Sequence, residues 1–429
     1  MRRLLASKQV TERHPIVTRK IAALSLLFVL AVPACSPTPA SAPSNGSPTA
    51  TPSTQVTSAP PSATPSAAAS FDPALAAKLQ ADLEDSVTKL HYPALAAAVI
   101  LPDGSSWSGA AGKLDVANGT PATSDTSFAV GSVTKTFIAA LVLELAHDGV
   151  LSLDDPIGKW LPQLAGDARF AADRVTVRQL LDHTSGIGDY IDNPEFEATL
   201  SRDATRRWTP DELISYVGSP TFRPGTDWAY SNTNYILAGM VIEPATRSTV
   251  ASELRRRILT ALGLERTVLQ PQEHPVSPTA HGYSESFPGG TAAEPIDVWD
   301  GSGLMPNAPL VSAAWTAGGI ASTAPDLARW AAALYGGPVL DPASLAQMLD
   351  FKRNAGLPHG GTYGLGAMTW LGDSGPVIGH AGGIAGFQSG MWYLTKMHAT
   401  LVILTNTDGA LLDPAYQSLQ RIVLEHLGA

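Results

Sequence analysis

The tetrapeptide Ser-Val-Thr-Lys occurs twice in this 429-residue chain, at 86–89 and at 132–135. Residues three positions apart lie on the same face of a helix, so each copy brings a hydroxyl close to an amine. A neutral lysine amine can take the proton of a serine hydroxyl, and the serine then becomes a nucleophile for acyl transfer. Each copy is therefore a candidate pair of nucleophile and base.

The surroundings of the two copies favour the second. Ser86 lies near the end of the first predicted helix, where the negative end of the helix dipole opposes a developing oxyanion. Ser132 follows a glycine at a predicted helix start, where free backbone N–H groups favour negative charge. Lys135 precedes the apolar run at 137–143, and desolvation there lowers the pKa of an amine. We predict that Ser132 is the nucleophile, with Lys135 as its base; the alternative is an N-cap serine beside a solvated lysine.

A third serine, Ser374, lies in Gly-Asp-Ser-Gly at 372–375, the letters that surround the nucleophile of chymotrypsin-like proteases. That fold needs a histidine and an aspartate upstream on two β-barrels, and this chain carries too much predicted helix for it. The segment also joins two predicted strands, and glycine and aspartate are typical turn residues. We therefore predict a hairpin turn here.

Tyr230 and Asn232 lie in a loop-like stretch, Tyr-Ser-Asn, that carries groups useful to acyl transfer. A phenol with a lowered pKa can relay a proton to a leaving group. An amide can hold either the substrate carbonyl or the Lys135 amine. By itself this tripeptide is most often a turn.

The segment His380-Ala-Gly-Gly383 lies on a predicted strand. Glycines in a strand often mark the close approach of a ligand. His380 supplies a titratable donor, Gly382 lines the predicted cleft, and the Gly383 N–H joins that of Ser132 as an oxyanion donor. The alternative is a glycine-rich bulge with an incidental histidine.

The elements that must position these residues follow from periodicity and turn signals. Helices are predicted from Asp72-Pro73 to about residue 90, from 133 to 147, and from Asp413-Pro414 onward. Strands are predicted at 94–101, 105–112, 377–381, 387–394 and 400–405, while 150–310 is mostly helix and loop. We predict an α+β fold with an antiparallel sheet, N- and C-terminal flanking helices and an inserted, mainly helical lobe, and a site in the cleft between.

Composition excludes several classes of protein. With 44% hydrophobic and 15% charged residues, the chain is not a disordered chain, a coiled coil or a polytopic membrane protein. A net charge of −10 argues against nucleic acid as a partner. The single cysteine excludes a disulfide framework, and the histidine spacing matches no metal motif, so we predict no metal and no cofactor.

The N-terminal segment predicts export. A basic start and an apolar run too short to span a bilayer form an export signal over residues 1–34. The segment 32–35, Val-Pro-Ala-Cys, resembles a bacterial lipobox, in which Cys35 is lipidated and becomes the new N-terminus; cleavage near Ala34 without lipidation is the alternative. After Cys35, 31 of the 35 residues from 36 to 70 are Ser, Pro, Ala or Thr, which predicts a disordered linker over 35–70. We expect a globular domain at 71–429, either secreted or held by lipidated Cys35 on the outer face of the bacterial cytoplasmic membrane.

The chain resembles the penicillin-recognising serine hydrolases in the order and spacing of four features. These are a serine, a lysine three residues further on, Tyr-x-Asn about 100 residues later and His-x-Gly on a late strand. The family comprises the class C β-lactamases, the D-alanyl-D-alanine carboxypeptidases and related esterases. The resemblance covers nearly all of 71–429 and includes further segments at 151–155, 175–180, 183–186, 317–320 and 363–366.

The resemblance implies a role for each matching position. It makes Ser132 the acylating nucleophile, Lys135 its base or activator, and Tyr230 the proton relay. It places Asn232 at the amide position and His380 where many relatives have lysine, with the Ser132 and Gly383 N–H groups as the oxyanion hole. His183 lies in a family motif, and we interpret it as structural.

The same resemblance predicts a D-alanyl-D-alanine carboxypeptidase-like peptidase acting on peptidoglycan-derived peptides. The alternatives are an esterase or β-lactamase of the same fold, and a penicillin- or wall-binding module without turnover. Two departures weaken the preference for a free terminal carboxylate. Ala381 and Gly383 carry no hydroxyl where carboxypeptidase relatives often have threonine, and residues 367–370 offer no positive charge.

Overall fold

The computed structural model describes residues 70–203, 205–351, 353–357, 360–372 and 374–429. The predicted export signal at 1–34, Cys35 and the linker as far as residue 69 lie outside the described residues. Among the residues described, no helix is long and apolar enough to cross a membrane.

Most strands of the described chain belong to a single large sheet. The strands are β1 Ala94–Ile100, β2 Ser106–Asp115, β3 Thr120–Pro121, β4 Phe128–Ala129, β5 Val268–Leu269, β6 Tyr283–Ser284, β7 Ile296–Asp297, β8 Ile320–Ser322, β9 Arg353–Leu357, β10 Gly361–Tyr363, β11 Met368–Gly372, β12 Gly375–Ile384, β13 Phe387–Leu394 and β14 Ala399–Thr405. In the described part of the chain nine of them form one sheet in the order β3-β2-β1-β14-β13-β12-β11-β10-β9, and its pairings are antiparallel. The pairing of β1 with β14 joins the two ends of the domain, as predicted.

Helices flank this sheet and fill the segment between its N- and C-terminal strands. They are α1 Pro73–Leu90, α2 Thr134–His147, α3 Val177–Leu181, α4 Pro194–Arg202, α5 Pro210–Ser215, α6 Asn232–Thr246, α7 Val250–Leu254, α8 Ala308–Gly318, α9 Ala324–Gly336, α10 Pro342–Met348 and α11 Asp413–Leu427. The helices α3 to α7 form the inserted lobe. The predicted α+β class is confirmed.

Both faces of the central strands are buried, and alternate residues go to different cores. In β1, Leu95, Ala97 and Val99 belong to the core shared with α1 and α11, whereas Ala96 and Ala98 face the core that contains α2 and α9. This alternation follows from the two-residue period of a strand. The sheet is therefore covered by the terminal helices on one side and by α2 on the other.

The helix α2 is buried on nearly every side, as its uninterrupted apolar run predicts. The prediction for Gly-Asp-Ser-Gly is also confirmed, because Ser374 lies in the turn between β11 and β12, where Gly372 pairs with Gly375. One strand is longer than predicted: β12 continues past residue 381 to Ile384. Gly382 and Gly383 lie within this strand, as predicted for the segment from His380 to Gly383.

Candidate active site

The nucleophile candidate Ser132 lies in a single 3-10 turn, Gly131–Val133, between β4 and the start of α2. Gly131 has φ +50°, a conformation that favours glycine. A Cβ atom at this position would also lie only 2.7 Å from the Gly383 backbone nitrogen. The glycine thus lets β12 pack directly against the turn that carries Ser132.

The predicted base lies beside the predicted nucleophile. The Lys135 Nζ atom is 3.0 Å from Ser132 Oγ. It also donates to Asn232 Oδ1 at 2.9 Å and to the Ala317 carbonyl oxygen at 2.7 Å. The side chain is fully buried. The helix that supplies this carbonyl, α8, breaks at Trp315, where φ is +31°.

Burial lowers the pKa of Lys135 to about 7, and the negative charge of Asp189 partly opposes this change. A lysine in water has a pKa of about 10.4. At neutral pH a large fraction of Lys135 is therefore an uncharged amine with a free lone pair. Such an amine, within hydrogen-bond reach of Ser132, can act as a general base.

The sequence did not reveal Asp189, which fixes the orientation of Asn232. Its Oδ2 atom accepts from the Asn232 backbone N–H at 2.8 Å and from Asn232 Nδ2 at 2.9 Å. Because the carboxylate only accepts, the amide nitrogen faces it and the amide oxygen faces Lys135. Of the two predicted roles for Asn232, the structure places it in contact with Lys135. Burial raises the pKa of Asp189 to about 6.

Tyr230 lies over the same lysine, with its ring centroid 4.8 Å from Nζ, and its hydroxyl faces Ser132. The prediction of a lowered phenol pKa is wrong. Burial raises the pKa of Tyr230 above its usual range, although the nearby Ser132 hydroxyl acts in the opposite direction. The phenol therefore stays protonated, and a neutral hydroxyl both donates and accepts a hydrogen bond.

The two predicted oxyanion donors lie at one cavity. Ser132 and Gly383 both line the pocket described below. The neighbouring glycine, Gly382, has no room for a side chain, because a Cβ atom there would lie 2.0 Å from the Val130 carbonyl oxygen and 3.1 Å from the Ser132 nitrogen. Gly382 therefore allows β12 to pack closely against the Ser132 turn.

His380 is buried, and its ring is fully engaged with protein groups. Its Nδ1 atom lies against the Ala381 carbonyl oxygen, which can only accept, so Nδ1 carries the proton. Its Nε2 atom accepts from the Tyr363 hydroxyl at 2.9 Å. Burial, together with the charge of Lys135, lowers the pKa of His380 to about 3. The interpretation of His380 as a titratable donor is therefore wrong, and the histidine does not supply the positive charge of a lysine.

His183 is also buried, and it lies behind Tyr230 with the two ring centroids 4.3 Å apart. Its Nδ1 atom accepts from the Ser231 backbone N–H at 3.3 Å and faces Asn234 Nδ2 at 3.1 Å. These contacts hold the loop that presents Tyr230, in agreement with the predicted structural role.

A pocket of about 140 Å³ opens beside Ser132. Its walls come from α4, α8, the segment before α4, the loop after β6 and the end of β12. Most of the lining is apolar: Ile191, Phe196, Leu200, Phe287, Pro288, Leu310, Ala313, Ala314, Ala317, Ile384 and Ala385. No group of three or more histidine, cysteine, aspartate or glutamate side chains with metal-binding geometry occurs in the described residues.

The site combines a serine beside a buried lysine, a tyrosine over that lysine and the close approach of Gly131 to the Gly383 backbone. Set between a sheet and a helical lobe, these features define a serine hydrolase of the β-lactamase fold. The Beta-lactamase family matches residues 76–423, and the chain belongs to that family. The resemblance to the penicillin-recognising serine hydrolases is thereby confirmed.

Similar proteins include penicillin-binding proteins and hydrolases of D-amino acid amides. Penicillin-binding protein 4 of Amycolatopsis lactamdurans is 30% identical over 341 residues, which are 74% of this chain and 82% of that protein. Penicillin-binding protein 4* of Bacillus subtilis (strain 168) is 26% identical over 318 residues, 72% of this chain and 66% of that protein. Among solved structures, a D-stereospecific amidohydrolase from Streptomyces sp. is 33% identical with a TM-score of 0.68, covering 82% of this chain and 99% of that one. The D-amino acid amidase from Ochrobactrum anthropi SV3, complexed with D-phenylalanine, is 28% identical with a TM-score of 0.70 and the same coverage of both chains.

Proposed function

We propose that this chain hydrolyses amides or esters of D-amino acids with apolar side chains, through an acyl-enzyme on Ser132. The observation that carries the proposal is the apolar pocket that begins at the nucleophile. Burying an apolar side chain in such a pocket contributes about 1.5–3 kcal/mol. We infer the preference for the D configuration from the similarity to the D-stereospecific amidohydrolase and the D-amino acid amidase.

The geometry supports the following sequence of steps. The neutral Lys135 amine takes the proton of Ser132, and Oγ attacks the substrate carbonyl. The Ser132 and Gly383 N–H groups stabilise the oxyanion that develops. As the amide bond breaks, Tyr230 gives its proton to the leaving nitrogen and receives one from Lys135. Water, activated by the same amine, then releases the acid from Ser132.

A D-alanyl-D-alanine carboxypeptidase is the second candidate, and the similarity to penicillin-binding protein 4 favours it. Such an enzyme must bind a terminal carboxylate, for which arginine or lysine is the usual partner. Among the described residues that line the pocket there is neither an arginine nor a lysine. For this reason we rank the carboxypeptidase below the amidase.

Hydrolysis of three substrates by the full chain tests the proposal. We expect Ser132-dependent release of ammonia from D-phenylalanine amide, at least about tenfold faster than from L-phenylalanine amide. Release of D-alanine from an N-acylated D-Ala-D-Ala peptide should be slower than release of ammonia from D-phenylalanine amide. Faster release of D-alanine would establish the carboxypeptidase instead. A stable adduct with fluorescent penicillin and no product from any substrate would establish a binding module.

We also propose that the protein is exported and anchored through lipidated Cys35. The basic and apolar leader at 1–34 and the lipobox-like segment before Cys35 support this. Metabolic labelling with a clickable fatty acid should mark the wild-type chain and not Cys35→Ala. Equal labelling of both chains, or of neither, would contradict lipidation at this position.

A further inference from the structure

Polar side chains are few in the pocket beside Ser132, and four of them are already engaged by other groups of the protein. The Tyr190 hydroxyl donates to the Ala313 carbonyl oxygen at 2.7 Å, and Ser201 Oγ donates to the Glu197 carbonyl oxygen at 2.9 Å. Asn232 is held between Lys135 and Asp189, as described above. Ser286 Oγ donates to Asp408 at 2.6 Å.

Glu197 is the exception. It lies on α4, is exposed to solvent and is one of the residues that line the pocket. No described residue donates a hydrogen bond to the Glu197 carboxylate or forms an ion pair with it. The other contributors to the pocket, among the residues described, carry no formal charge.

A pocket with apolar walls and a single anion selects a particular kind of ligand. The ligand that complements it has an apolar side chain and a positive charge close to the reacting carbonyl. The α-ammonium group of an amino acid amide is attached one atom from that carbonyl. It carries its charge below its pKa of about 8. An N-acylated peptide or a penicillin has no charge at the corresponding nitrogen.

We propose that Glu197 binds the free α-ammonium group of the substrate and so selects amino acid amides and esters over N-acylated substrates. The inference rests on the proposed function and names the substrate feature that this site recognises. Glu197 is thus a specificity-determining residue of the pocket wall. The chemistry on Ser132 itself does not require it.

The test compares three anilides at pH 7 with the full chain: D-phenylalanine p-nitroanilide, its N-acetyl derivative and 3-phenylpropionyl p-nitroanilide, which lacks the nitrogen. The wild-type enzyme should prefer the free amine. Glu197→Gln should lower kcat/KM for that substrate about fivefold, mainly through KM, because an exposed ion pair contributes about 1 kcal/mol or less. The two uncharged substrates should be unaffected. Glu197→Lys should lower kcat/KM for the free amine further and place it below the N-acetyl derivative.

The matched control is Glu195→Gln, which removes an exposed carboxylate from the same helix outside the pocket. It should leave all three rates unchanged. Equal effects of Glu197→Gln on the three substrates, or no effect on the free amine, would overturn the role of Glu197 while Ser132-dependent hydrolysis still stands. If the wild-type chain releases no p-nitroaniline from any of them in a Ser132-dependent manner, the proposed function itself fails.

Discussion

The two Ser-Val-Thr-Lys segments have the same sequence and different environments. In the first, the Lys89 side chain is 70% exposed and pairs with Asp85 at 2.8 Å, and this hydrogen bond raises the pKa of Lys89. In the second, Lys135 is fully buried, and burial lowers its pKa to about 7. One lysine is therefore a charged surface group at neutral pH, and the other is partly a neutral base.

The difference comes from what surrounds each helix. The segment at 86–89 ends α1, whose outer face is in solvent and carries carboxylates. The segment at 132–135 begins α2 and is enclosed by β12, α6 and α8. A short motif thus acquires catalytic chemistry through desolvation and through partners distant in sequence.

The largest expected effect comes from removing each serine in turn. Ser132→Ala should lower the rate of ester hydrolysis by at least about 10⁴-fold, because the acyl-enzyme can no longer form. Ser86→Ala should leave the rate within about twofold of wild type. Steady-state hydrolysis of a chromogenic ester measures both. A large loss with Ser86→Ala and none with Ser132→Ala would contradict the account and assign the chemistry to Ser86 on α1.

The lysines provide the next comparison. Lys135→Met keeps the length and apolar stem of the side chain but removes the base, and should lower kcat by about 10²–10⁴-fold. Lys89→Met should change neither kcat nor the melting temperature measurably. Parallel kinetics and thermal unfolding check this, and a folded Lys135→Met variant with wild-type kcat would exclude the base role.

A smaller effect is expected at the buried carboxylate behind Asn232. Asp189→Asn removes a negative charge that favours the ammonium form of Lys135, so the pKa of the lysine should fall below 7. The acidic limb of the pH profile of kcat/KM should then move to lower pH, and the plateau should fall about tenfold as Asn232 loses its orientation.

Asp192→Asn is the control for this change, because it removes an exposed carboxylate three residues further along the chain. Its pH profile should differ from that of wild type much less than the profile of Asp189→Asn does, because the charge of Asp192 acts on Asp189 and not on Lys135. A shift of the Asp189→Asn limb to higher pH would contradict the electrostatic argument. An unchanged acidic limb would show that Asp189 orients Asn232 without affecting the pKa of Lys135.

The parts of the fold that the sequence predicted are those with strong local signals. Leucines at helical spacing after the Asp72-Pro73 cap predicted α1, and Asp72 indeed accepts from the Ala74 N–H. Alternation and turn residues predicted the strands that now form the sheet centre. The two-residue strands β4 to β7 escaped prediction, because they are too short for a periodic signal.

The site was predictable only where a motif carried it. Ser132 and Lys135 were identified from a helix start beside an apolar run. Asp189 was not, because nothing local links it to Asn232, 43 positions further along the chain. The pKa directions of Tyr230 and His380 were missed for a similar reason, since both depend on burial by several distant elements.

The central claim is that Lys135 titrates near neutrality. In protein labelled with ¹³Cε-lysine, the resonance that Lys135→Met removes can be followed by NMR as the pH is raised from 5 to 11. We predict a midpoint at about pH 7 for this resonance, with the Lys89 resonance still in its protonated position there. A midpoint above pH 10 for Lys135 would contradict the account.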